Sequence, residues 1–275
     1  MPPYCIPIGE AAHEPLFGGK AVSLGTAIRA GLPVPGGLAI ASPLVDRIAG
    51  GDAGALDELL RHAHLPDGRL AVRSSAVGED SSGASFAGQH QTVLNVRAAG
   101  VFDAVVAVWE SGRSEAALAY RRRQGLPMDP AVGVVVQLLV EPLAAGVLFT
   151  RNPITGVRER MIEAAWGLGE VVVSGAVTPD SFRLSHAGEL LEATPGFKDI
   201  RVWWAEHGHG TDTHPVPEEH HSTLCLDHNH LAALHELASR CEAVYGPDLD
   251  LEWAVDALGG VHLLQARPIT TTAGR

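Results

Sequence analysis

The sequence is short of positive charge. Its 275 residues include 20 Lys and Arg against 32 Asp and Glu, which gives a formal net charge of −12. Proteins that hold nucleic acid without sequence preference do so by neutralising phosphates with basic side chains. We therefore expect no nucleic-acid partner. Hydrophobic residues make up 46% of the chain and charged residues 19%, a composition that predicts a packed fold rather than a disordered chain.

Long apolar runs and paired cysteines are also scarce. No run approaches the roughly 18 apolar residues that are needed to span a bilayer. The first residues, Met-Pro-Pro-Tyr-Cys, lack the basic and apolar regions of a signal peptide. The three cysteines (Cys5, Cys225 and Cys241) are odd in number and share no metal-binding spacing. These absences predict a cytoplasmic protein with no membrane partner.

Lysine is almost absent, since Lys20 and Lys198 stand against 18 arginines. Lys20 follows two glycines at the start of a predicted helix over 18–32, and a helix N-terminus favours an anion. A compact ammonium is not replaced by a planar guanidinium. The amine of Lys20 therefore either binds an anion or survives by chance at an exposed position. The segment is not a Walker A loop, because position 14 is Glu and position 21 is Ala.

The order of the predicted elements indicates mixed α and β structure without βαβ alternation, which disfavours a doubly wound sheet. We expect an α+β fold. Residues 78–88 are small, polar and rich in glycine, which is typical of a loop. The predicted helices cover 18–32, 52–63, 101–124 and 228–245, the predicted strands cover 38–42, 70–76, 91–96, 131–142, 249–256 and 260–268, and short strands and turns are predicted between 146 and 175.

The C-terminal strand carries the most derivable site. Alternation puts Val261, Leu263, Gln265 and Arg267 on one face. Glu252 of the preceding strand lies opposite Gln265 if paired residue numbers sum to 517, or opposite Arg267 if they sum to 519, whereas a three-residue loop would break this parity. Glu and Gln offer hard oxygen ligands for Mg²⁺, and Arg binds phosphate in a bidentate way. The alternative is an ordinary cross-strand Glu–Arg pair on a solvated face.

The histidines are concentrated in one stretch. Seven of the 14 lie between 207 and 230. Imidazole suits Zn, Ni or Cu, but the spacing is irregular and no cysteine pair accompanies it. We favour a solvated variable loop over a transition-metal site.

Several segments, read together, resemble one family. They occur in one order over nearly the whole chain: GGKAVSLG, GLPVPGGLAI, LAVRSSAVGED, ASFAGQHQTVLNV, VVVQLLVEPLAAGVLFTRNP, EAAWGLGEVVVSGAVTPDSF, LDLEWAV and VHLLQARPIT. They are similar to the ATP-binding domain of the phosphoenolpyruvate synthase, pyruvate phosphate dikinase and rifampin phosphotransferase family. The resemblance is closer to the synthase and rifampin phosphotransferase branches. It implies a two-lobed ATP-grasp-like fold, with an N-terminal lobe over 1–135 and a C-terminal lobe over 136–275.

The resemblance also implies roles for individual residues. Lys20, Arg73 and Arg267 would hold phosphates and act in catalysis, while Glu252 and Gln265 would ligate Mg²⁺. A loop over 85–92 would close over the phosphates. The remaining positions that the resemblance assigns to ATP are Gly88, Thr92, Gln137, Leu139, Val140 and Glu170, with Gln137 and the backbone through Val140 framing the adenine.

In this family ATP is split to AMP and phosphate, and the β-phosphoryl group moves to a histidine. None of the histidines here lies in the family's phosphohistidine motif, and the chain has no counterpart of the pyruvate-binding domain. We therefore expect the acceptor histidine on a separate domain or protein. Two alternatives stay open: a regulatory module that binds ATP without chemistry, and a stand-alone ATP-dependent kinase or ligase acting on a small molecule.

Overall fold

The computed structural model describes residues 4–62, 68–78, 91–123, 125 and 127–269. The chain divides into two compact units. The first comprises Met1–Arg29, Pro35–Leu139 and Trp204–Gly210, and the second comprises Ala30–Val34, Val140–Trp203 and Thr211–Arg275. Both contain antiparallel sheets and helices, which confirms the predicted α+β class.

The first unit is built on a five-stranded sheet in the order β1-β2-β5-β3-β4. Every neighbouring pair in it is antiparallel. Its strands are β1 (Cys5–Pro7), β2 (Gly37–Ile40), β3 (Leu70–Ala76), β4 (Thr92–Val96) and β5 (Val132–Leu138). Its helices are α1 (Glu14–Arg29), α2 (Ser42–Ala49), α3 (Ala53–His62), α4 (Val101–Ser111) and α5 (Glu115–Arg123). The expected lobe boundary at 135/136 falls inside β5.

Strand β3 separates a hydrophobic core from a polar face. Leu70 and Val72 belong to a buried cluster with side chains of α2, α3 and α4. Because side chains alternate along a strand, Arg73 and Ser75 point to the opposite face, where Ser75 contacts α1. The sheet is thus apolar on one side and presents an arginine and a hydroxyl on the other.

The second unit is built on a six-stranded antiparallel sheet in the order β13-β12-β6-β7-β8-β9, and β10 and β11 form a separate two-stranded ribbon. The strands are β6 (Pro142–Phe149), β7 (Glu159–Trp166), β8 (Asp180–Ser185), β9 (Leu190–Thr194), β10 (Ile200–Trp204), β11 (Thr211–Pro215), β12 (Leu249–Asp256) and β13 (Val261–Pro268). The helices are the single turn α6 (Glu170–Val173) and α7 (His228–Tyr245).

Helix α7 covers one face of the six-stranded sheet. Its buried residues recur at helical spacing: Leu231, Leu234, Leu237, Ala238 and Cys241. Arg160 of β7 donates hydrogen bonds to His235, Ser239 and Glu242 of this helix. Ile162 and Leu251 lie on the same face as Arg160 by register and alternation, so the even-numbered residues of β12 point to the opposite face.

Three local predictions were wrong. The expected helix over 101–124 is two helices, because the chain turns at Gly112 between α4 and α5. Residues 170–173 form a helical turn rather than a short strand. The expected histidine-rich loop before the helix at residue 228 contains the strand β11.

Candidate functional site

The turn between β12 and β13 has three residues. Asp256 and Gly260 close it, because the Asp256 N–H donates to the Gly260 carbonyl at 2.9 Å. Gly259 has a φ of 82°, a conformation that glycine adopts without a steric penalty. Such a turn pairs residues whose numbers sum to 516, as in Trp253 opposite Leu263. On its own it would leave Glu252 opposite Leu264.

A bulge at Leu264 restores the pairing on which the site depends. The register shifts between Glu252 and Trp253, so that Glu252 lies opposite Gln265. The extra residue on β13 therefore compensates for the odd turn. Of the two predicted registers, the one with a sum of 517 is confirmed for Glu252 and Gln265.

The same bulge makes one part of the prediction wrong. Val261 and Leu263 pair with Val255 and Trp253, whereas Gln265 pairs with Glu252. Adjacent residues of β12 point to opposite faces. The two apolar residues of β13 therefore lie on the face that α7 covers, and Gln265 and Arg267 lie on the other face.

Asp250 completes the polar face of this hairpin. It lies opposite Arg267 in the register, and both Nε and Nη2 of Arg267 donate to its Oδ2, at 2.9 and 2.7 Å. Asp250 is buried and Arg267 is half-buried, so this ion pair is shielded from water better than a surface pair. Sequence analysis missed Asp250, although its spacing of two residues from Glu252 on one strand could have revealed it.

Three of the four side chains on this face offer hard oxygen donors, and the fourth is the guanidinium of Arg267. Glu252 and Asp250 supply carboxylates, and Gln265 supplies an amide oxygen. Within the described ranges, no three His, Cys, Asp or Glu side chains are grouped so that they could hold a metal ion. Mg²⁺ is commonly held by one or two protein oxygens together with substrate phosphates. The donor set fits that mode and does not form an all-protein cage.

In the first unit, Lys20 follows a break in α1. Gly18 has a φ of 79° and a ψ of 169°, which interrupts the helical backbone. A Cβ at Gly18 would lie 1.8 Å from the carbonyl oxygen of Ser75, so only glycine fits. The helix that continues from this break carries Lys20 in its first turn, and the lysine is buried at 5% exposure. The predicted glycine turn into a helix is present, although helical residues also precede it.

Arg73 and Thr92 share a face of the first sheet. They lie directly opposite each other in the β3–β4 ladder, so their side chains point the same way. Arg73 is buried and Thr92 is exposed. Ser75, two residues after Arg73 on this face, accepts a hydrogen bond from the Ala21 N–H at 2.9 Å. Strand β3 thus connects the start of the Lys20 helix with Arg73, and the β3–β4 ladder connects Arg73 with Thr92.

The residues expected at the adenine lie at the end of β5 and just beyond it. Gln137 is buried, and its Nε2 donates to the carbonyl of Pro35 at 2.9 Å. The Leu139 N–H donates to the carbonyl of Arg69 at 2.9 Å. Val140, which is half-buried, follows as the first residue of the segment Val140–Trp203 of the second unit. The amide of Gln137 thus fixes the backbone that leads into β2.

Glu170 begins α6 and is exposed. Its Oε2 accepts a hydrogen bond from the Thr211 hydroxyl at 3.1 Å. The preceding Gly167 has a φ of 80°, and a Cβ there would lie 2.7 Å from the carbonyl of Val202. The Gly-Leu-Gly-Glu turn is therefore held against β10. Gly88, the remaining residue predicted to contact ATP, lies outside the described residues.

The second lysine has a structural role. Lys198 is fully buried, and its Nζ lies 2.5 Å from Oδ1 of Asp180. The same carboxylate accepts backbone N–H groups from Gly196 and Cys225, at 2.8 and 2.7 Å. Lys198 therefore neutralises a buried carboxylate within the second unit.

The thiols are not candidate nucleophiles. Cys5, Cys225 and Cys241 are free and buried. Burial raises the pKa of Cys5 and of Cys241 to about 12, and it also raises the pKa of Cys225. Because the thiolate is the reactive form, these residues are inert at neutral pH.

The histidine-rich stretch has ordinary structural contacts. His221 meets the ring of Phe197 edge-on at 5.4 Å, and the His220 carbonyl accepts from the Trp166 indole at 3.2 Å. His230 and Asp227 form a reciprocal cap at the start of α7. The grouping needed for a metal ion does not occur among these histidines, all of which the structure describes.

The sequence from residue 43 to residue 275 matches the family model described as pyruvate phosphate dikinase, AMP/ATP-binding domain. The chain belongs to this family. The match includes Arg73, Glu252, Gln265 and Arg267, whereas Lys20 lies before its start. The family resemblance read from the sequence is thus confirmed, and with it membership in a family of nucleotide-binding domains.

Curated relatives carry the same domain within longer chains. The chain is 40% identical to the prodigiosin synthesizing transferase PigC of Serratia marcescens over 96% of this chain and 33% of that protein. It is 43% identical to a probable phosphoenolpyruvate synthase of Methanothermobacter thermautotrophicus over 74% of this chain and 30% of that protein. It is 41% identical to a rifampicin phosphotransferase of a Streptomyces species over 84% of this chain and 26% of that protein. The chain thus spans a third or less of these relatives.

Among solved structures, the chain is similar to the VanG D-Ala:D-Ser ligase of Enterococcus faecalis, with a TM-score of 0.44 and 11% identity over 94% of this chain and 55% of that one. In the part of the chain that the structure describes, none of the helices combines the length and apolar character needed to cross a membrane.

Proposed function

We propose that this chain is the nucleotide-binding module of an ATP-dependent phosphotransferase of the phosphoenolpyruvate synthase and rifampin phosphotransferase type. In the proposed reaction ATP, water and a histidine become AMP, inorganic phosphate and a phosphohistidine. The histidine belongs to a separate domain or protein. The proposal includes the two-lobed ATP-grasp-like arrangement expected from the sequence.

One observation carries the proposal: in a chain of an AMP/ATP-binding family, the hairpin of β12 and β13 aligns Glu252, Gln265, Asp250 and Arg267 on one face. The bulge at Leu264 offsets the three-residue turn and so places Glu252 opposite Gln265. A solvated cross-strand pair would not bury Gln265 at 5% exposure.

The proposed phosphate ligands are three cationic side chains. Lys20 and Arg73 are buried, and Arg267 is half-buried. With a net charge of −12, the protein as a whole does not attract ATP, so local cations must supply the attraction. Phosphoryl transfer requires little covalent chemistry from a protein, and its catalysis consists of positioning and of neutralising the charge on the transferred group.

We assign Mg²⁺ to Glu252 and Gln265. When bound, the ion would neutralise charge on the phosphate oxygens. The opposed positions of the two residues supply one carboxylate and one amide oxygen from neighbouring strands. Asp250 orients the Arg267 guanidinium through its Oδ2, and so fixes the direction in which the remaining N–H groups of that arginine point.

The remaining proposed contacts are also with ATP. Gln137 at the end of β5, together with Leu139 and Val140 just after it, frames the adenine. Glu170 contacts ATP from the start of α6. Thr92 acts beside Arg73, its partner across the β3–β4 ladder. Gly88 is also among the residues proposed to contact ATP.

The cytoplasmic location remains a prediction from the sequence.

The test is thermal unfolding of the purified protein with and without MgATP, compared with Lys20→Ala. A ligand at about 100 times its Kd adds roughly 2.7 kcal/mol to the free energy of unfolding. In a chain of this size that corresponds to a rise in Tm of about 5 °C or more, which is easily measured. The proposal expects this rise in the parent and its loss in Lys20→Ala.

The product then distinguishes the chemistry. Incubation with MgATP and a histidine-domain protein from one of the longer relatives should release AMP. Release of ADP would instead indicate a stand-alone kinase or ligase, and binding without any product would indicate a regulatory module. Absence of a thermal shift in the parent would contradict the proposed function.

A further inference from the structure

Ser75 lies two residues after Arg73 on β3 and contacts the helix that carries Lys20. Its side chain is fully buried and points to the same face of β3 as Arg73. The inference below rests on the proposed function.

The backbone around Gly18 lies close to strands β3 and β5. Ser75 pairs with Gly133 in the β3–β5 ladder. The Phe17 and Gly18 backbone lies against this pair: a Cβ at Gly133 would be 2.6 Å from the Phe17 carbonyl oxygen, and one at Gly18 would be 1.8 Å from that of Ser75. Two glycines thus allow the break in α1 to lie directly on the sheet.

The helix that starts after this break takes its cap from outside the helix. Counted from Gly18, the third residue is Ala21, and a helix cap normally accepts the N–H of the second or third residue with its own side-chain oxygen. Gly18 has no side chain. The hydroxyl of Ser75, 54 positions away in sequence, accepts the Ala21 N–H at 2.9 Å in a buried setting. Ser75 therefore caps the helix from the neighbouring strand.

This cap lies next to Lys20 in the sequence and close to Arg73 on the strand. Lys20 lies between the capped N–H and the break, and it is buried. Arg73 is two residues before Ser75, about 7 Å along an extended strand. One hydroxyl therefore sets the helix that carries Lys20 at a defined place along the strand that carries Arg73. A lysine side chain has several rotatable bonds, and fixing its backbone limits where its ammonium can reach.

We propose that Ser75 is a positioning residue for ATP binding. Its hydrogen bond with the Ala21 N–H holds the start of the Lys20 helix against β3, so that Lys20 and Arg73 can contact the same phosphates. The alternative is that Ser75 only satisfies a buried N–H and contributes to stability without regard to Lys20.

The test is a double-mutant cycle on MgATP affinity, measured by calorimetric titration well below the Tm of every variant. The variants are Ser75→Ala, Lys20→Ala and their combination. Ser74→Ala is the matched control, because Ser74 is a buried hydroxyl on the same strand that points to the opposite face.

We expect Ser75→Ala to weaken MgATP binding about ten-fold, as for a lost buried hydrogen bond. In the Lys20→Ala background it should cause no further loss, because residues that act through one another are not additive. Ser74→Ala should leave affinity unchanged in both backgrounds. A parent-like affinity of Ser75→Ala, or the same ten-fold loss in both backgrounds, would overturn the proposal.

A second variant covers the case in which Ser75→Ala does not fold. Ser75→Cys retains a side chain of similar shape with a weaker acceptor, and it should bind MgATP with an affinity between those of the parent and Lys20→Ala. Parent-like affinity would again overturn the proposal. If the parent binds no MgATP, or if Lys20→Ala binds as the parent does, the proposed function itself fails and the role of Ser75 fails with it.

Discussion

Arg267 and Asp250 form an asymmetric ion pair in which two nitrogens of the guanidinium converge on one oxygen of the carboxylate. Nε and Nη2 of Arg267 donate to Oδ2 of Asp250 at 2.9 and 2.7 Å. The two residues are directly opposed on β12 and β13. This geometry fixes the plane of the guanidinium rather than merely balancing its charge.

Removing the charge of Asp250 should therefore weaken nucleotide binding. Asp250→Asn keeps the shape of the side chain but loses the charged acceptor, and we expect MgATP affinity to fall about ten-fold, or 1.4 kcal/mol. Calorimetric titration measures this directly. The matched control is Glu192→Gln, which removes the carboxylate that pairs with Arg183 at the exposed edge of the same sheet. Equal affinities for Asp250→Asn and the control would contradict the role of Asp250.

Exchange of Glu252 and Gln265 tests the metal assignment. Glu252→Gln leaves two amides, and the Mg²⁺ concentration needed for half-maximal ATP-dependent stabilisation should rise about ten-fold or more. The double variant Glu252→Gln/Gln265→Glu restores one carboxylate and one amide in directly opposed positions. We expect it to recover part of the lost Mg²⁺ affinity, as measured by Mg²⁺ titration of Tm at fixed ATP. A double variant worse than the single one would argue against a shared site.

Lys198 should be needed for folding rather than for binding. Both side chains of the Lys198–Asp180 pair are fully buried. Lys198→Ala leaves Asp180 as a buried charge without its ammonium partner and should cost about 3–5 kcal/mol of unfolding free energy in urea denaturation. Lys198→Arg should also be destabilising, because no solvent-exposed space is available for the larger head group. An unaltered denaturation midpoint in either variant would contradict this reading.

The contact between α7 and β7 should make stability depend on pH. Arg160 donates through Nε to Nδ1 of His235 at 3.0 Å, so the ring accepts here and carries its proton on Nε2. Burial, and then the positive charges of Arg160 and His186, hold the pKa of His235 below its ordinary value, while Glu242 opposes this shift. The unfolded state therefore binds a proton more readily than the folded state.

Stability should consequently fall as the pH drops from about 6.5 towards the lower pKa of the folded state. His235→Gln retains an acceptor for Arg160 but does not titrate, so its unfolding free energy should vary less between pH 5 and 7. Urea denaturation across that range, with the parent in parallel, measures the difference. Identical pH profiles for the two proteins would rule out this contribution of His235.

Some of the fold could be read from local pattern because local forces decide it. The predicted helix over 228–245 matches α7, since its apolar spacing is long and a capping pair, Asp227 and His230, marks its start. The strands over 70–76 and 249–256 likewise match β3 and β12. In contrast, the Val-rich α6 was missed because a β-branched run favours strand locally, and the turn is imposed by contacts of Gly167 with β10.

The candidate site likewise has some features that local pattern predicts and others that it does not. Alternation along the chain was enough to put Glu252 with Gln265 or with Arg267, and glycine followed by lysine was enough to mark a helix start at Lys20. Asp250 follows the same alternation. These features depend on neighbours one to four residues apart, where sequence and geometry are directly related.

The other features of the site depend on contacts between segments that are distant in the sequence. The pairing of Glu252 with Gln265 depends on a three-residue turn and a bulge that cancel, and a change in either one alone would shift the register by one residue. The glycine at position 18 and the cap of the Lys20 helix both depend on Ser75, 54 residues away from Ala21. Local pattern was enough to mark most of the candidate site residues, whereas long-range packing set their register and their supporting contacts, because those arise only when distant segments meet.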